Sequence, residues 1–200
     1  MATQSDTYTR ILEAARDLIY ASSYAEVGVQ AICQKAQVKK GSFYHFFKSK
    51  QELTIAVIDN FYEGFKDSII REAFSAALPP EERFQKLFEL TIARQEQIHQ
   101  QTGHVLGCPF GNLATEMATS DEVIRTKIDG LFTRLQRLIR DTLQEAVERG
   151  ELEDIDVDAT AEAMFAYFEG LMILAKTRND PGVLRKLLPA TARIRIPKTH

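Results

Sequence analysis

Apolar residues recur along this chain at helical spacing, and little in it indicates a β-strand. The segment from Ile11 to Ile19 places five apolar side chains on one stripe, and the stretch from Ile124 to Val147 repeats the pattern over a longer range. Apolar and polar residues do not alternate over any sustained run, as they would in a half-buried strand. The pattern therefore predicts an all-α fold.

Capping signals divide this helical chain into elements. Ser49–Glu52 forms a capping box that opens a long helix over 50–75, and Thr119–Glu122 forms a second one before the helix that Gly150 ends. Pro79 and Pro80 suit the first turn of another helix. Further helices are predicted after Gly28 and over 40–46, 80–101, 110–118 and 157–178.

Composition sets the broad class of protein. The chain has 200 residues, of which 44% are hydrophobic and 26% charged, which is ordinary for a globular domain and excludes a disordered or collagen-like chain. We find no apolar run long enough for a membrane span and no export signal. The two cysteines cannot form a disulfide framework. We therefore expect a cytoplasmic protein without a membrane partner.

Positive charge is concentrated at the start of the chain. The first fifty residues hold seven Lys or Arg against four acids, a net charge of +3, whereas the whole chain carries −3. Five of these seven cations lie between Lys35 and Lys50, where no acid occurs. Binding to phosphates requires a local positive face rather than a basic total, so this segment is a candidate nucleic-acid interface.

The same segment fits a helix-turn-helix, because it predicts three short helices of which the last two are joined by a tight turn. Phe43, Phe46 and Phe47 are predicted to anchor the third helix to a small core of Ile19, Val29 and Ile32. Gly41 would allow close approach to the DNA backbone. The side chains left for the groove and its phosphates are those of Lys39, Lys40, Ser42, Tyr44, His45 and Lys48.

The run GVQAICQKAQVKKGSFYHFFKSKQEL, residues 28–53, resembles the N-terminal signature of the TetR family of bacterial repressors. The resemblance covers about 45 residues with the first helix. It implies a DNA-binding domain over 1–48, a ligand-binding and dimerisation domain over 49–200, and a homodimer on a palindromic operator. Gly28, Cys33 and Gln37 replace a common Thr or Ser cap, an alanine and a glycine, and none of these changes removes a DNA-facing group.

The resemblance also assigns roles within the recognition segment. Tyr44, His45 and Lys48, with Lys39 beside them, would contact phosphates. The residues facing base edges would be Gln30, Lys40, Gly41 and Ser42. No cofactor is implied.

In the second domain the resemblance implies a small-molecule pocket, whose ligand tilts the helix that begins at Ser49, and a dimer interface made by the last two long helices. Residues such as Leu138, Leu143, Met164, Phe165 and Phe168 could belong to that interface or to the core of one chain. The same alternative holds for the candidate pocket residues, which are Phe61, Tyr62, Phe65, Phe88, Phe110, Met117, Tyr167 and Met172.

Cys108 stands in the sequence LGCPFGN, just where a helix is predicted to begin. Amide donors and the helix dipole lower the pKa of a thiol at such a place. The placement is similar to that in TetR-type regulators that sense electrophiles or oxidants through a cysteine, and Lys176 could support the thiolate. The alternative is a buried structural cysteine, with Lys176 extending to water. The inducer is thus an unidentified small molecule or electrophile.

Two other classes of function remain open at this stage. Cys108 with His104 could form a nucleophile and base, and with His99 and Glu116 these residues could bind a metal, but no third orienting group and no phosphate-binding loop accompany them. We therefore expect neither an enzyme nor a metal protein. A helical adaptor whose basic N-terminal unit binds an acidic partner is the remaining alternative to a repressor.

Overall fold

The computed structural model describes residues 4–153 and 155–198, with side chains from Asp6 onward. The described residues form helices and no strand, apart from one isolated bridge between Ile155 and Pro197. The predicted all-α fold is confirmed. None of the described helices is both long and apolar enough to span a membrane.

The helices begin and end close to the predicted positions. They are α1 Gln4–Ala21, α2 Val29–Ala36, α3 Lys40–Phe46, α4 Lys50–Phe65, α5 Arg71–Ala73, α6 Pro80–Thr102, α7 Pro109–Met117, α8 Glu122–Glu148, α9 Val157–Arg178 and α10 Gly182–Leu187. A 3₁₀ segment, Leu188–Arg193, follows α10.

The predicted helix over 50–75 runs without a break to Ala73, but its second half is not α-helical throughout. After Phe65 the backbone continues as one π-helical stretch, Lys66–Ile70, before α5 completes the element. Ile69 and Ile70 are both buried there. A π turn adds one residue to the helical repeat and so shifts which side chains face inward, which apolar periodicity alone does not reveal.

The two predicted capping boxes differ in outcome. Ser49 Oγ accepts a hydrogen bond from the Glu52 amide at 3.0 Å, as predicted, although the Glu52 carboxylate bonds the Lys48 amide at 2.8 Å instead of the Ser49 amide. The second box is wrong. Asp121, not Thr119, caps α8, because its Oδ1 accepts from the amides at 123 and 124.

The chain divides into two compact units. One contains the residues up to Gly64 together with Pro109–Asp129, and the other contains Phe65–Cys108 together with the residues from Gly130 onward. The sequence-based division after Lys48 does not coincide with these units, and the two domains that it defines stay a prediction.

The first unit contains the predicted small helical core. Ile11, Ala15, Ile32 and Phe43 are fully buried where α1, α2 and α3 pack together. Ile19 is also buried, whereas Val29, which we expected in this core, is only half-buried. Burying such side chains contributes about 1.5–3 kcal/mol each.

The second unit is built on α6, α9 and α10. Arg83 of α6 is 9% exposed and forms a bidentate ion pair with Glu145 of α8, at 2.6 and 3.3 Å. The pKa of the Glu145 carboxyl is lowered mainly by the hydrogen bond from Arg83. At the far end of α9, Asn179 adopts the left-handed conformation that ends the helix, as the sequence predicts.

Candidate functional site

Aromatic packing holds the short helix α3 in place. Phe43 and Phe47 are 0% and 3% exposed, and Tyr8 of α1 stacks on Phe47 with ring centroids 5.1 Å apart. Phe46, predicted as a third anchor, is only half-buried and meets Tyr8 edge-on at 6.0 Å. Because a seven-residue helix is too short to be stable alone, these contacts fix its orientation. The contribution of Tyr8 was missed in the sequence analysis.

The residues predicted to contact DNA lie on the open side of α2 and α3. Tyr44 is 49% exposed, and the Lys40 ammonium lies 5.9 Å from the centre of its ring. Ser42 is half-buried. The other predicted contacts are exposed: Gln30, Lys39, Lys40, Gly41, His45 and Lys48.

Two of the five cations between Lys35 and Lys50 do not belong to this open face. Lys35 pairs with Asp17 of α1 at 3.3 Å. Lys50 donates a hydrogen bond to the carbonyl of Tyr24 and lies 4.0 Å from the centre of its ring. Burial lowers the pKa of Lys50, while Glu116 opposes this shift. The positive face therefore consists of Lys39, Lys40 and Lys48.

Glu116 of α7 fastens the loop between α1 and α2. Its two carboxylate oxygens accept hydrogen bonds from the amides of Tyr24 at 2.9 Å and Ala25 at 2.7 Å. Burial, followed by the charges of Asp121 and Glu116, raises the pKa of the Tyr24 phenol. Glu116 was considered above only as a metal ligand. Its structural role could not be found from sequence, because about ninety residues separate the partners.

The turn between α2 and α3 carries a strained residue. Gln37 has φ 55° and ψ 46°, the left-handed conformation that glycine adopts at least cost. The amide of Val38 bonds the carbonyl of Cys33 at 3.0 Å, which closes the end of α2. Cys33 itself is buried, and burial raises its pKa, with Lys40 acting in the opposite direction.

The predicted pocket residues are divided between the two compact units. Phe61, Tyr62, Phe110 and Met117 belong to the first, where Phe61 meets Phe110 edge-on at 6.3 Å. The second unit contains Phe65, Phe88, Tyr167 and Met172. Five of the eight are buried, whereas Tyr62, Phe65 and Tyr167 are half-buried.

One cleft of about 540 Å³ lies within the second unit. Phe88 is the only predicted pocket residue in its wall, beside Phe84. Arg193 and Arg195 supply positive charge and Glu81 supplies negative charge. Neither arginine was predicted to line a pocket from the sequence.

The surroundings of Cys108 differ from the expectation. Cys108 is 9% exposed and directly precedes α7, as predicted. Its thiol is hydrogen-bonded to the Glu169 carboxyl of α9, a partner that the sequence did not indicate. Burial raises the pKa of that carboxyl to about 7, and the bond from Cys108 opposes the rise.

The aliphatic part of the Lys176 side chain lies close to Gly107, the residue that precedes Cys108. A β-carbon on Gly107 would lie 3.3 Å from Lys176 Cδ and 3.5 Å from the carbonyl oxygen of Met172. Gly107 also has φ 75°, so both its conformation and its surroundings favour glycine. The side chain of Lys176 is exposed overall. Its expected support of the thiolate stays a prediction.

The structure does not bring together the residues that were considered as metal ligands. Glu116 is engaged with backbone amides, and His104 lies exposed in the loop that follows α6. Throughout residues 6–153 and 155–198, no three His, Cys, Asp or Glu side chains come close enough to hold a metal ion.

Two family models match separate parts of the chain. The family model described as "Bacterial regulatory proteins, tetR family" matches residues 11–57. The model described as "Tetracyclin repressor-like, C-terminal domain" matches residues 80–191, more than half of the chain.

Curated relatives match along most of their length. The chain is 31% identical over 195 residues to the transcriptional regulator AcuR of Cereibacter sphaeroides, covering 95% of this chain and 85% of the relative. It is 26% identical to the transcriptional repressor DhaR of a Mycobacterium species, covering 95% and 92% of the two chains. A crystal structure of the regulatory protein TetR from Rhodobacter sphaeroides superposes with TM-score 0.82 at 29% identity, covering 95% and 99%.

Proposed function

The chain belongs to the TetR family of bacterial transcriptional regulators, and from this premise we propose that it is a repressor that binds a palindromic operator as a homodimer. The observation that carries the proposal is the open face of α3. Three lysines and Tyr44 remain on that face, whereas Lys35 and Lys50 are engaged elsewhere. We expect such a regulator to act in the cytoplasm.

Roles on this face are carried over from the resemblance to the family. Lys48, Tyr44 and His45, with Lys39, would contact phosphates, which sets register without reading sequence. Gln30, Lys40, Gly41 and Ser42 would face base edges in the major groove. One short recognition helix per chain gives little affinity, so two copies on successive major grooves are expected. The half-sites would then lie roughly 34–36 Å apart, or a multiple of that distance.

The dimer interface is proposed on α8 and α9. Leu143, Met164 and Phe165 are buried within one chain and therefore belong to its own core. Leu138 and Phe168 keep part of their surface open, and Ile173 is 52% exposed. Sedimentation of the protein with and without Ile173→Asp tests this assignment, since a buried interfacial aspartate would dissociate the dimer.

Operator binding is tested by selection from random duplexes. A repressor enriches one palindrome, whereas an adaptor that docks an acidic protein enriches none. The salt dependence of binding does not distinguish the two, because both interactions weaken as salt rises.

We further propose that modification of Cys108 by an electrophile releases the operator, with reversible binding of a small ligand as the second candidate. Support comes from the position of Cys108 in a loop where its thiol meets a titratable carboxyl. Cys33 is a matched internal comparison, because it is buried within the helix-turn-helix and its pKa is raised. A thiol reagent should therefore label Cys108 faster than Cys33.

The experiment measures operator binding before and after treatment with a mild electrophile, for the parent protein and for Cys108→Ser. Release from the parent alone supports a covalent sensor. If both proteins stay bound, covalent sensing is refuted and a reversible ligand becomes the candidate inducer. The cleft beside Phe84 and Phe88 and the cluster of Phe61 and Phe110 are then the places to test by substitution.

A further inference from the structure

The cleft of about 540 Å³ in the second unit has an apolar wall formed by two helices. Phe84 and Phe88 lie one turn apart on α6 and are 6% and 5% exposed, and Ala146 of α8 is 4% exposed. Leu152, in the loop after α8, extends this wall. The volume falls within the range of about 300–1,000 Å³ that small-molecule sites occupy. Such a wall favours a ligand whose body is apolar, because binding removes apolar surface from water.

Two arginines line the same cleft from the C-terminal part of the chain. Arg193 ends the 3₁₀ segment, and Arg195 follows two residues later, with an extended residue between them. Across residues 6–153 and 155–198, no carboxylate forms an ion pair with either arginine. Partial burial lowers the pKa of Arg195, so its charge is held partly out of water. An anion that enters the cleft would therefore meet two guanidinium groups that the described residues leave without an acid.

Backbone hydrogen bonds fix the segment that carries Arg195. The amide of Ile196 donates to Thr160 Oγ1 at 3.0 Å, and the carbonyl of Ile196 accepts from the Asp156 amide at 2.9 Å. Thr160 itself is 0% exposed. The guanidinium of Arg195 donates one bond to the carbonyl of Ile194 at 2.6 Å, which leaves most of its five donors for a ligand. A charged group placed in this way loses little freedom when it binds.

Two acids also line the cleft, and they differ in how far they oppose an anion. Glu151 pairs with Arg149 at 2.8 Å, so much of its charge is compensated. Glu81 is exposed on the first turn of α6, and no described cation forms an ion pair with it. Two arginines thus face one uncompensated carboxylate. The balance favours a ligand with one negative charge, and Glu81 weakens its binding.

We propose that this cleft binds a small aromatic carboxylate. The rings of Phe84 and Phe88 pack against its aromatic body, an arrangement that adds to the gain from apolar burial. Arg195 and Arg193 donate charge-assisted hydrogen bonds to its carboxylate, which a planar guanidinium can hold in bidentate geometry. The proposal names the chemistry of the reversible ligand considered above. It rests on the proposed function only for an effect on the operator.

The test is calorimetric titration of the full-length protein, without DNA, with naphthalene-2-carboxylate. Naphthalene-2-carboxamide has the same shape without the charge, and we expect it to bind at least about 10-fold more weakly. Arg195→Gln should weaken binding of the carboxylate about 10-fold, the lower end of what hydrogen bonds to charged groups contribute, and leave the carboxamide unaffected. Glu81→Gln should tighten binding of the carboxylate about 2–5-fold, because it removes the opposing charge.

The matched control is Arg178→Gln, which removes an exposed arginine at the end of α9, outside the cleft, and should leave the affinity unchanged. If Arg195→Gln does not fold, Arg193→Gln, at an exposed position, is measured in its place. The proposal is overturned if the parent does not bind the carboxylate at millimolar concentration. It is also overturned if the carboxamide binds equally well, or if loss of the arginine leaves the affinity unchanged.

The effect on the operator is measured separately, by the fluorescence anisotropy of labelled operator DNA. Release by the carboxylate from the parent, with a matching loss of sensitivity in Arg195→Gln, supports a role of this ligand class as inducer. Protein that binds the carboxylate and stays on DNA refutes that role and leaves the site intact. Failure to select any palindrome refutes the proposed repressor, and the calorimetric result is independent of it.

Discussion

Glu116 offers the sharpest test of how the helix-turn-helix is held. Its carboxylate accepts two amide hydrogen bonds, at 2.9 and 2.7 Å, from the loop that leads into α2. In Glu116→Gln one oxygen becomes an NH₂ group, which cannot accept and faces an N–H donor. Hydrogen bonds to charged groups contribute about 1.5–3 kcal/mol each, and the amide left without an acceptor costs a comparable amount. Because the site is only partly buried, we expect a loss of about 2 kcal/mol.

Thermal and urea-induced unfolding measure this loss directly. For a chain of this size, 2 kcal/mol corresponds to a fall in Tm of about 4–8 °C. Operator affinity should fall as well, because the loop sets where α2 begins. Glu13→Gln is the control, since Glu13 is an exposed glutamate of α1 in the same compact unit. Equal unfolding curves for the two variants would refute the argument.

Three further predictions concern separate parts of the chain. Lys48→Ala and Tyr44→Phe should weaken operator binding to a similar extent on all sequences, and Lys48→Ala should also reduce the salt slope by about 1, because one phosphate is no longer neutralised; a weakening confined to one base position would contradict the phosphate assignment. Gln37→Gly should raise the free energy of unfolding by about 1 kcal/mol, because it relieves a left-handed residue, and urea unfolding checks this. The lowered pKa of Glu145 means that its pair with Arg83 stabilises the fold above the ordinary glutamate pKa and is lost as pH falls through the folded-state value. Glu145→Gln should therefore flatten stability measured between about pH 5 and 3, and an unchanged slope would argue against it.

Local signals were enough to predict most of the helices. Apolar periodicity and the Ser49 cap depend on residues within a few positions of one another, so the sequence contains them directly. One error arose because more than one residue satisfied the same local rule. Thr119 and Asp121 both suit a helix cap, and only the backbone decides that Asp121 takes the role. The π turn after Phe65 leaves no compositional trace.

The sequence located the candidate DNA face but overestimated its positive charge. The sequence shows five cations close together, and it does not indicate which of them are engaged by other residues of the fold. Asp17 and Tyr24, which engage Lys35 and Lys50, become their neighbours only when α1 packs against the following elements. Partners distant in sequence therefore decide which lysines remain for phosphates. Counting charges along the chain overstates the positive face for this reason.

The surroundings of Cys108 also depend on a partner that is distant in sequence, and this partner is an acid where the sequence had suggested a cation. From the sequence, a nearby cation and a helix start both favour a thiolate, which would make the thiol reactive toward many reagents. The structure adds the Glu169 carboxyl of α9 to these surroundings, and a carboxylate opposes negative charge on sulfur. The local sequence therefore indicates the helix start and the cation near Cys108, but not the acid that reaches the thiol from another helix.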